Sequence, residues 1–297
     1  MRNAILSRTK YYQEYRQDFT NMSLKSKALY FISTLLHGEP KPTFANITYL
    51  KPKNVLAGKK IIITGGGRGL GLSMAKKFIS EGAAVLIAGR NEKTIEESAN
   101  ELGCKYLVLD VSKPENFGEF MQKADELLGG INALVNNAGI SLHERSFFDV
   151  TPDTFNAQVD TNLKGCFFLT QEFIKLIKLR NHGGNVLFVS SETGDTMDFR
   201  PYGFTKAAVN SMVQGLAYLF RKEGIRVNAV APGITASDMT GVAKDGNLAA
   251  GGYATGRYYL PEEVAETACF LLSDASGCVS GQIITCNNAQ TINARWK

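Results

Sequence analysis

The sequence predicts an α/β chain: a single doubly wound domain on a seven-stranded parallel sheet, preceded by an N-terminal helical extension. Three observations carry that expectation. Short apolar runs recur at residues 60–64, 85–88, 106–109, 131–135, 185–189, 225–230 and 282–285, with stretches of helical spacing between most of them. The first run, Lys60-Ile61-Ile62-Ile63-Thr64, leads straight into a glycine turn from Gly65 to Gly71, and then into a helical pattern with Leu72, Ala75, Phe78 and Ile79. The opening residues differ in character, so the chain divides into an arm and linker (1–57) and one large domain (58–297).

Composition narrows the classes. The 297 residues are 44% hydrophobic and 21% charged, which suits a globular protein. No apolar run reaches the ~18 residues of a membrane span, so none is expected. The net charge of +5 is uneven: residues 1–60 hold 11 Lys and Arg against 3 Asp and Glu, the remainder 22 against 25. The basic excess belongs to the leader, and the main domain is not expected to bind nucleic acid. Cys104, Cys166, Cys269, Cys278 and Cys286 form no CxxC pair or dense framework, and read as reduced packing residues of a cytoplasmic protein. His37, His143 and His182 are too scattered for a zinc site, and no metal is expected.

In the leader, Leu24, Ala28, Phe31 and Leu35 recur at helical steps, widened by Ile32 and Leu36. With Ser23 as N-cap and Gly38 and Pro40 as stops, a helix is expected over 23–37, and a weaker one over Tyr11–Phe19. Pro40, Pro42 and Pro52 then mark an extended linker. The ordered regions of a secretory signal are missing, and Glu14 and Asp18 speak against a mitochondrial presequence. The reading preferred is a structural arm that packs on its own domain or on a partner subunit. Peripheral membrane or partner contact by its basic face is the alternative.

In the main domain, strand, glycine turn and helix follow one another, the context in which such a turn can approach a pyrophosphate at a helix N-terminus. The second strand ends in Gly89-Arg90 with no carboxylate, and Arg68 sits inside the turn. An acid there would accept from a ribose 2′-hydroxyl and repel a 2′-phosphate, whereas two guanidiniums can clamp the phosphate. NADP(H) is therefore favoured over NAD(H). The fourth strand runs into Asn136-Asn137-Ala138-Gly139, and Thr151-Pro152 opens a long helical stretch. Tyr202 and Lys206 stand four apart, on one face of a helix running to about Arg221. A fixed ammonium stabilises a neighbouring phenolate, which brings a phenol into use as an acid or base.

Together these stretches resemble the short-chain dehydrogenase/reductase family, over residues 58 to about 290. Thr64–Gly71 resembles its TGxxxGxG motif, Asp110-Val111 its adenine-contacting pair, and Asn136–Gly139 its NNAG motif. Pro232-Gly233-Ile234 resembles its PG motif beside the nicotinamide, with Ser237 where a threonine is usual. The resemblance implies a Rossmann-type fold, a homodimer or homotetramer, and a cofactor site at Gly65, Gly67, Arg68, Gly69, Leu70, Gly71, Arg90, Asp110, Val111, Asn137, Ala138, Gly139, Tyr202, Lys206, Pro232, Gly233, Ile234 and Ser237. It implies a catalytic set of Asn162, Ser191, Tyr202 and Lys206, with Ser190 in support. Two departures stand out. Tyr202 follows Ser191 by only eleven positions, and Asn287-Asn288-Ala289 replaces the usual Asp-Gly-Gly in a region near subunit contacts.

The activity implied is reversible ketone reduction by direct hydride transfer, on a small-molecule substrate. Walls are expected from 140–150, 192–201 and 234–260, where Leu142, His143, Met197, Phe199, Tyr253, Tyr258 and Tyr259, with Glu192 and Arg200 as polar options, suit a bulky, mostly apolar ketone. A hydroxysteroid is one alternative, because some bacterial hydroxysteroid dehydrogenases are similar in carrying such a leader. Sugar-acid 5-dehydrogenation and 3-oxoacyl thioester reduction stay open, as does an NADP(H)-binding sensor or scaffold without turnover.

Overall fold

A computed structural model describes residues 23–37, 54–180, 182–242, 248, 250, 253 and 255–292. The chain forms two compact units, Met1–Ile47 and Thr48–Lys297. In the first lies helix α1, Leu24–His37. The Ser23 hydroxyl accepts from the Ser26 N–H at 3.2 Å, as its N-cap reading requires, and Leu24, Phe31 and Leu35 are exposed. The helix expected at Tyr11–Phe19 lies outside the described residues.

In the second unit strands and helices alternate: β1 (Lys60–Thr64), α2 (Gly69–Ser80), β2 (Ala84–Gly89), α3 (Glu92–Leu102), β3 (Lys105–Val108), α4 (Phe117–Leu128) and β4 (Ala133–Asn136). Then come α5 (Pro152–Val159), α6 (Cys166–Leu179), β5 (Gly184–Val189), α7 (Pro201–Phe220), β6 (Ile225–Pro232), α8 (Pro261–Leu272) and β7 (Ile283–Cys286). Residues 54–57, assigned from sequence to the linker, are packed into this unit. Leu56 is fully buried and its N–H donates to the Glu81 carbonyl.

The seven strands form one parallel sheet in the order β3-β2-β1-β4-β5-β6-β7. The chain winds outward from β1 to β3, then returns to lay β4 beside β1. That reversal opens a crevice beyond the carboxyl ends of β1 and β4, where a doubly wound sheet places its ligand. Successive side chains point to opposite faces of the sheet. Ile62, Leu86, Leu134 and Val186 pack with Phe117, Phe173 and Val213 of α4, α6 and α7. Ile61, Ile63, Val85 and Leu187 pack with Met74, Phe78, Ile95 and Leu271 of α2, α3 and α8. Both faces being covered, the strands read as near-continuous apolar runs.

One element differs from expectation. The helix expected from Thr151 starts as foreseen, with the Thr151 hydroxyl accepting from the Thr154 N–H at 3.2 Å, but Asp160–Gly165 is a π-helical turn between α5 and α6. The widened turn brings the chain against the loop that follows β3. A side chain at Gly165 would collide with the Val111 carbonyl.

Candidate active site

A cleft of about 850 Å³ lies along the carboxyl ends of the strands. Its first wall is the turn between β1 and α2. Arg68 at the N-cap gives no side-chain cap and the first turn holds no acid, so the leading N–H groups of α2 stay available to an anion. Gly71 lies beneath this turn, where a side chain would collide with the Gly65 carbonyl. Thr64 locks the turn to the loop after β4. Its hydroxyl accepts from the Asn137 and Ala138 N–H groups at 3.1 and 3.0 Å and donates to the Val135 carbonyl at 3.3 Å. The Asn137 Nδ2 donates back to the carbonyls of Thr64 and Gly65, at 2.8 and 3.1 Å.

Of the expected cofactor residues, Gly65, Gly67, Arg68, Gly69, Leu70, Arg90, Val111, Asn137, Ala138, Gly139, Tyr202, Lys206, Pro232, Gly233, Ile234 and Ser237 line this cleft. Gly71 supports it from below, and Asp110 is placed differently. The Asp110 carboxylate accepts from the Ser112 N–H and hydroxyl at 3.0 and 2.7 Å, while Leu109 and Val111 form the wall. Burial works to raise the Asp110 carboxyl, but the Ser112 bonds and the Arg90 charge hold it below its ordinary value. Arg68 lies 3.5 Å from Asp238, both largely exposed, a contact that binds the arginine only weakly.

At the other end of the cleft α7 brings Tyr202 and Lys206 together. Lys206 is 5% exposed, its Nζ lies 5.6 Å from the Tyr202 ring centre, and it donates to the Val189 carbonyl at 2.7 Å. The Ser191 hydroxyl accepts from the Thr193 N–H and hydroxyl at 3.3 and 3.0 Å, which leaves its own proton to donate. Ser190 also lines the cleft, with its hydroxyl turned to Asn210 Oδ1, to which it donates at 2.6 Å. Asn162, in the π turn, clamps the backbone of Ile140. Its Oδ1 accepts from that N–H and its Nδ2 donates to that carbonyl, both at 2.8 Å, with Thr205 Oγ1 at 3.3 Å. Thr161 and Ile140 reach the cleft wall there, while Asn162 sits just behind it. Burial pushes the neighbouring Cys166 thiol up to about 12, so it stays protonated and unreactive.

The substrate walls come out more polar than the sequence suggests. Leu142, His143, Tyr258, Glu192 and Arg200 line the cleft, whereas Met197, Phe199, Tyr253 and Tyr259 do not. Met197 and Phe199 are exposed, and Tyr259 is buried with its hydroxyl donating to the Asn287 carbonyl at 2.6 Å. Three supporting residues escape the sequence reading. Asp198 pairs with Arg200, Asp195 accepts from Asn210 Nδ2 at 2.8 Å, and Asn287 donates to Glu192 Oε2 at 2.8 Å. The resemblance sets Asn287 near subunit contacts; within this chain its amide holds Glu192 from outside the cleft lining. Only the Asp198–Arg200 pair left a signal, as opposite charges two residues apart.

Fold and cleft define a doubly wound α/β protein with a dinucleotide-type crevice. A family profile described as Enoyl-(Acyl carrier protein) reductase matches residues 65–288. A 3alpha-hydroxysteroid dehydrogenase of Mediterraneibacter gnavus is 33% identical, over 79% of this chain and 98% of its own. An L-fucose dehydrogenase of Bos taurus is 32% identical, over 79% and 90%. The crystal structure of a 3-ketoacyl-(acyl-carrier-protein) reductase from Brucella melitensis complexed with NADH superposes with a TM-score of 0.75, at 28% identity, covering 80% of this chain and all of that one. The chain belongs to the short-chain dehydrogenase/reductase family.

Proposed function

We propose that the protein interconverts a ketone and a secondary alcohol with a nicotinamide dinucleotide, NADP(H) in preference to NAD(H). The single observation that carries this reading is the buried Lys206 ammonium beside Tyr202, on the wall that also holds Ser191. The residues fit the dinucleotide: an uncapped helix N-terminus and a glycine-rich turn offer backbone N–H groups to a pyrophosphate. When bound there, the cofactor supplies or accepts the hydride. Ser191 donates to the substrate oxygen and fixes it, and Tyr202 gives or takes the proton at that oxygen. Lys206 sets positive charge where negative charge develops on the phenol. Asn162, by holding Ile140, keeps the adjoining loop against the site. Arg68 and Arg90 supply the charge a 2′-phosphate would meet.

The apolar part of the substrate wall, with Leu142, Ile234 and Tyr258, supports a bulky ring-bearing substrate. The test is oxidation of NADPH and NADH against steroid ketones, keto sugars, keto sugar acids and acetoacetyl thioesters. Turnover with NADPH, reduced at least ~10³-fold in Tyr202→Phe, is expected. A preference for NADH would reject the role given to the two arginines. Tight NADPH binding with no turnover across the panel would favour a sensor or scaffold.

The proposed organisation is a leader arm before one catalytic domain, acting in the cytoplasm as a homodimer or homotetramer. Along α7 an uncharged exposed stripe, Phe204, Ala207, Ser211, Gly215 and Tyr218, supports close approach of a second copy. Sedimentation of the full chain, of Phe204→Glu and of a chain lacking 1–52 separates these surfaces. A smaller species only with Phe204→Glu assigns assembly to α7; one only without the leader assigns it to the arm.

A further inference from the structure

The substrate end of the cleft carries charged groups held in place from outside it. Arg200 stands at the N-cap position of α7, two residues before Tyr202, and lines the cleft. Its Nε and Nη2 donate to the two Asp198 carboxylate oxygens at 2.8 and 2.9 Å, and its backbone N–H donates to Asp198 Oδ1 at 3.0 Å. A guanidinium has five N–H donors, so this fork fixes its plane and leaves others for a ligand. Glu192 follows Ser191 and also lines the cleft. Its Oε2 accepts from Asn287, which is 2% exposed and donates to Thr291 Oγ1 as well. The second oxygen of Glu192 is left as an acceptor. Neither Asp198 nor Asn287 lines the cleft.

The charges here do not cancel. Glu144, 9% exposed and bound by Gln158 at 2.6 Å, adds its field at Arg200. Asp198 and Glu144 thus act on one guanidinium, and Glu192 adds a third carboxylate to the same cleft. Lys206 lies beside Tyr202 with its Nζ bound to the Val189 carbonyl. A substrate carboxylate would have to join this excess of negative charge, and like charges in a partly dry site repel. A hydroxyl is both donor and acceptor and can satisfy Glu192 or Arg200.

We propose that this end of the cleft selects neutral, hydroxyl-rich carbonyl compounds, Glu192 accepting from and Arg200 donating to hydroxyls remote from the reacting carbon, and that it disfavours carboxylates. The proposal rests on the ketone–alcohol reading of the site. It narrows the field by excluding sugar acids.

Three ring ketones on one frame test it: cyclohexanone, an inosose (a pentahydroxycyclohexanone) and 4-oxocyclohexanecarboxylate. The expected order of kcat/KM with NADPH is inosose first, by about tenfold or more over cyclohexanone, with the carboxylate last. Glu192→Gln lowers the inosose-to-carboxylate ratio about tenfold. Asp198→Asn raises KM for the inosose while kcat is largely kept, which marks Asp198 as a positioning residue. A carboxylate substrate preferred over the inosose, or a ratio unmoved in Glu192→Gln, overturns the proposal. If none of the three turns over and Tyr202→Phe behaves like the wild type, it is the parent reading that fails. Calorimetric binding of the three rings to NADPH-saturated protein then decides the selectivity. Tightest binding by the inosose sustains it; tightest binding by the carboxylate, or no binding of the inosose, overturns it.

Discussion

At the scale of single residues, the segment after β7 shows how a conformation can outlast the residue type suited to it. Asn288 and Ala289 hold φ of +50° and +65°, the left-handed region that costs an ordinary side chain about 1 kcal/mol or more. Asparagine tolerates it; alanine has no compensating side-chain bond. Ala289→Gly is therefore expected to stabilise the fold by up to about 1 kcal/mol, a rise in melting temperature of roughly 2–3 °C. A lower melting temperature would show that the lost Cβ contacts outweigh the relieved strain. The resemblance already placed glycines at these two positions, so the backbone could have been anticipated from sequence. The reach of Asn287 to Glu192 could not, because the two lie 95 positions apart and no local pattern joins them.

At the scale of elements, legibility follows periodicity. The strands were readable because β-branched runs buried on both faces have no competing pattern, and α7 because Tyr202 and Lys206 share a helical face. Boundaries moved by one or two residues, as with β4, which begins at Ala133. The π turn at Asp160–Gly165 was not readable, since one extra residue in a turn leaves the composition of a helix unchanged while shifting its phase. Its cause is tertiary: Asn162 must meet Ile140, and Gly165 must pass Val111. The turn before α7 makes a further prediction. Burial works to raise the Asp198 carboxyl, but Arg200 prevails and holds it below the ordinary carboxylate range. A depressed folded-state value means that this stabilisation is complete above the unfolded value, about 3.9, and is lost as pH falls through the folded one. The stability gap between wild type and Asp198→Asn is therefore expected to be full well above about pH 3.9 and to close as the pH falls through and below it. A gap that stays constant would show that Asp198 contributes through packing alone.

At the scale of the whole molecule, the sheet separates two kinds of work. At the amino end of β6, Arg226 donates to the carbonyls of Leu271 and Val279 at 3.0 and 3.3 Å, to Ser276 Oγ at 2.9 Å and to the Ser273 carbonyl at 3.0 Å. It ties the C-terminal turn to the sheet, far from the cleft lining. Arg226→Met, which strands several buried acceptors, is expected to cost about 3 kcal/mol or more. Once the variant is folded at low temperature, kcat and KM should match the wild type; a changed KM would couple that edge to the site. The parallel order has a wider consequence. Because all seven strands point one way, each passes the cleft only on leaving the sheet, and the loops that enter it, such as the one where Asn132 binds Gly58, never do. Heritable change can therefore rewrite the exit loops after β4, β5 and β6 for a new substrate while the entry loops conserve the capacity to fold, so novelty and robustness are inherited on opposite sides of one sheet.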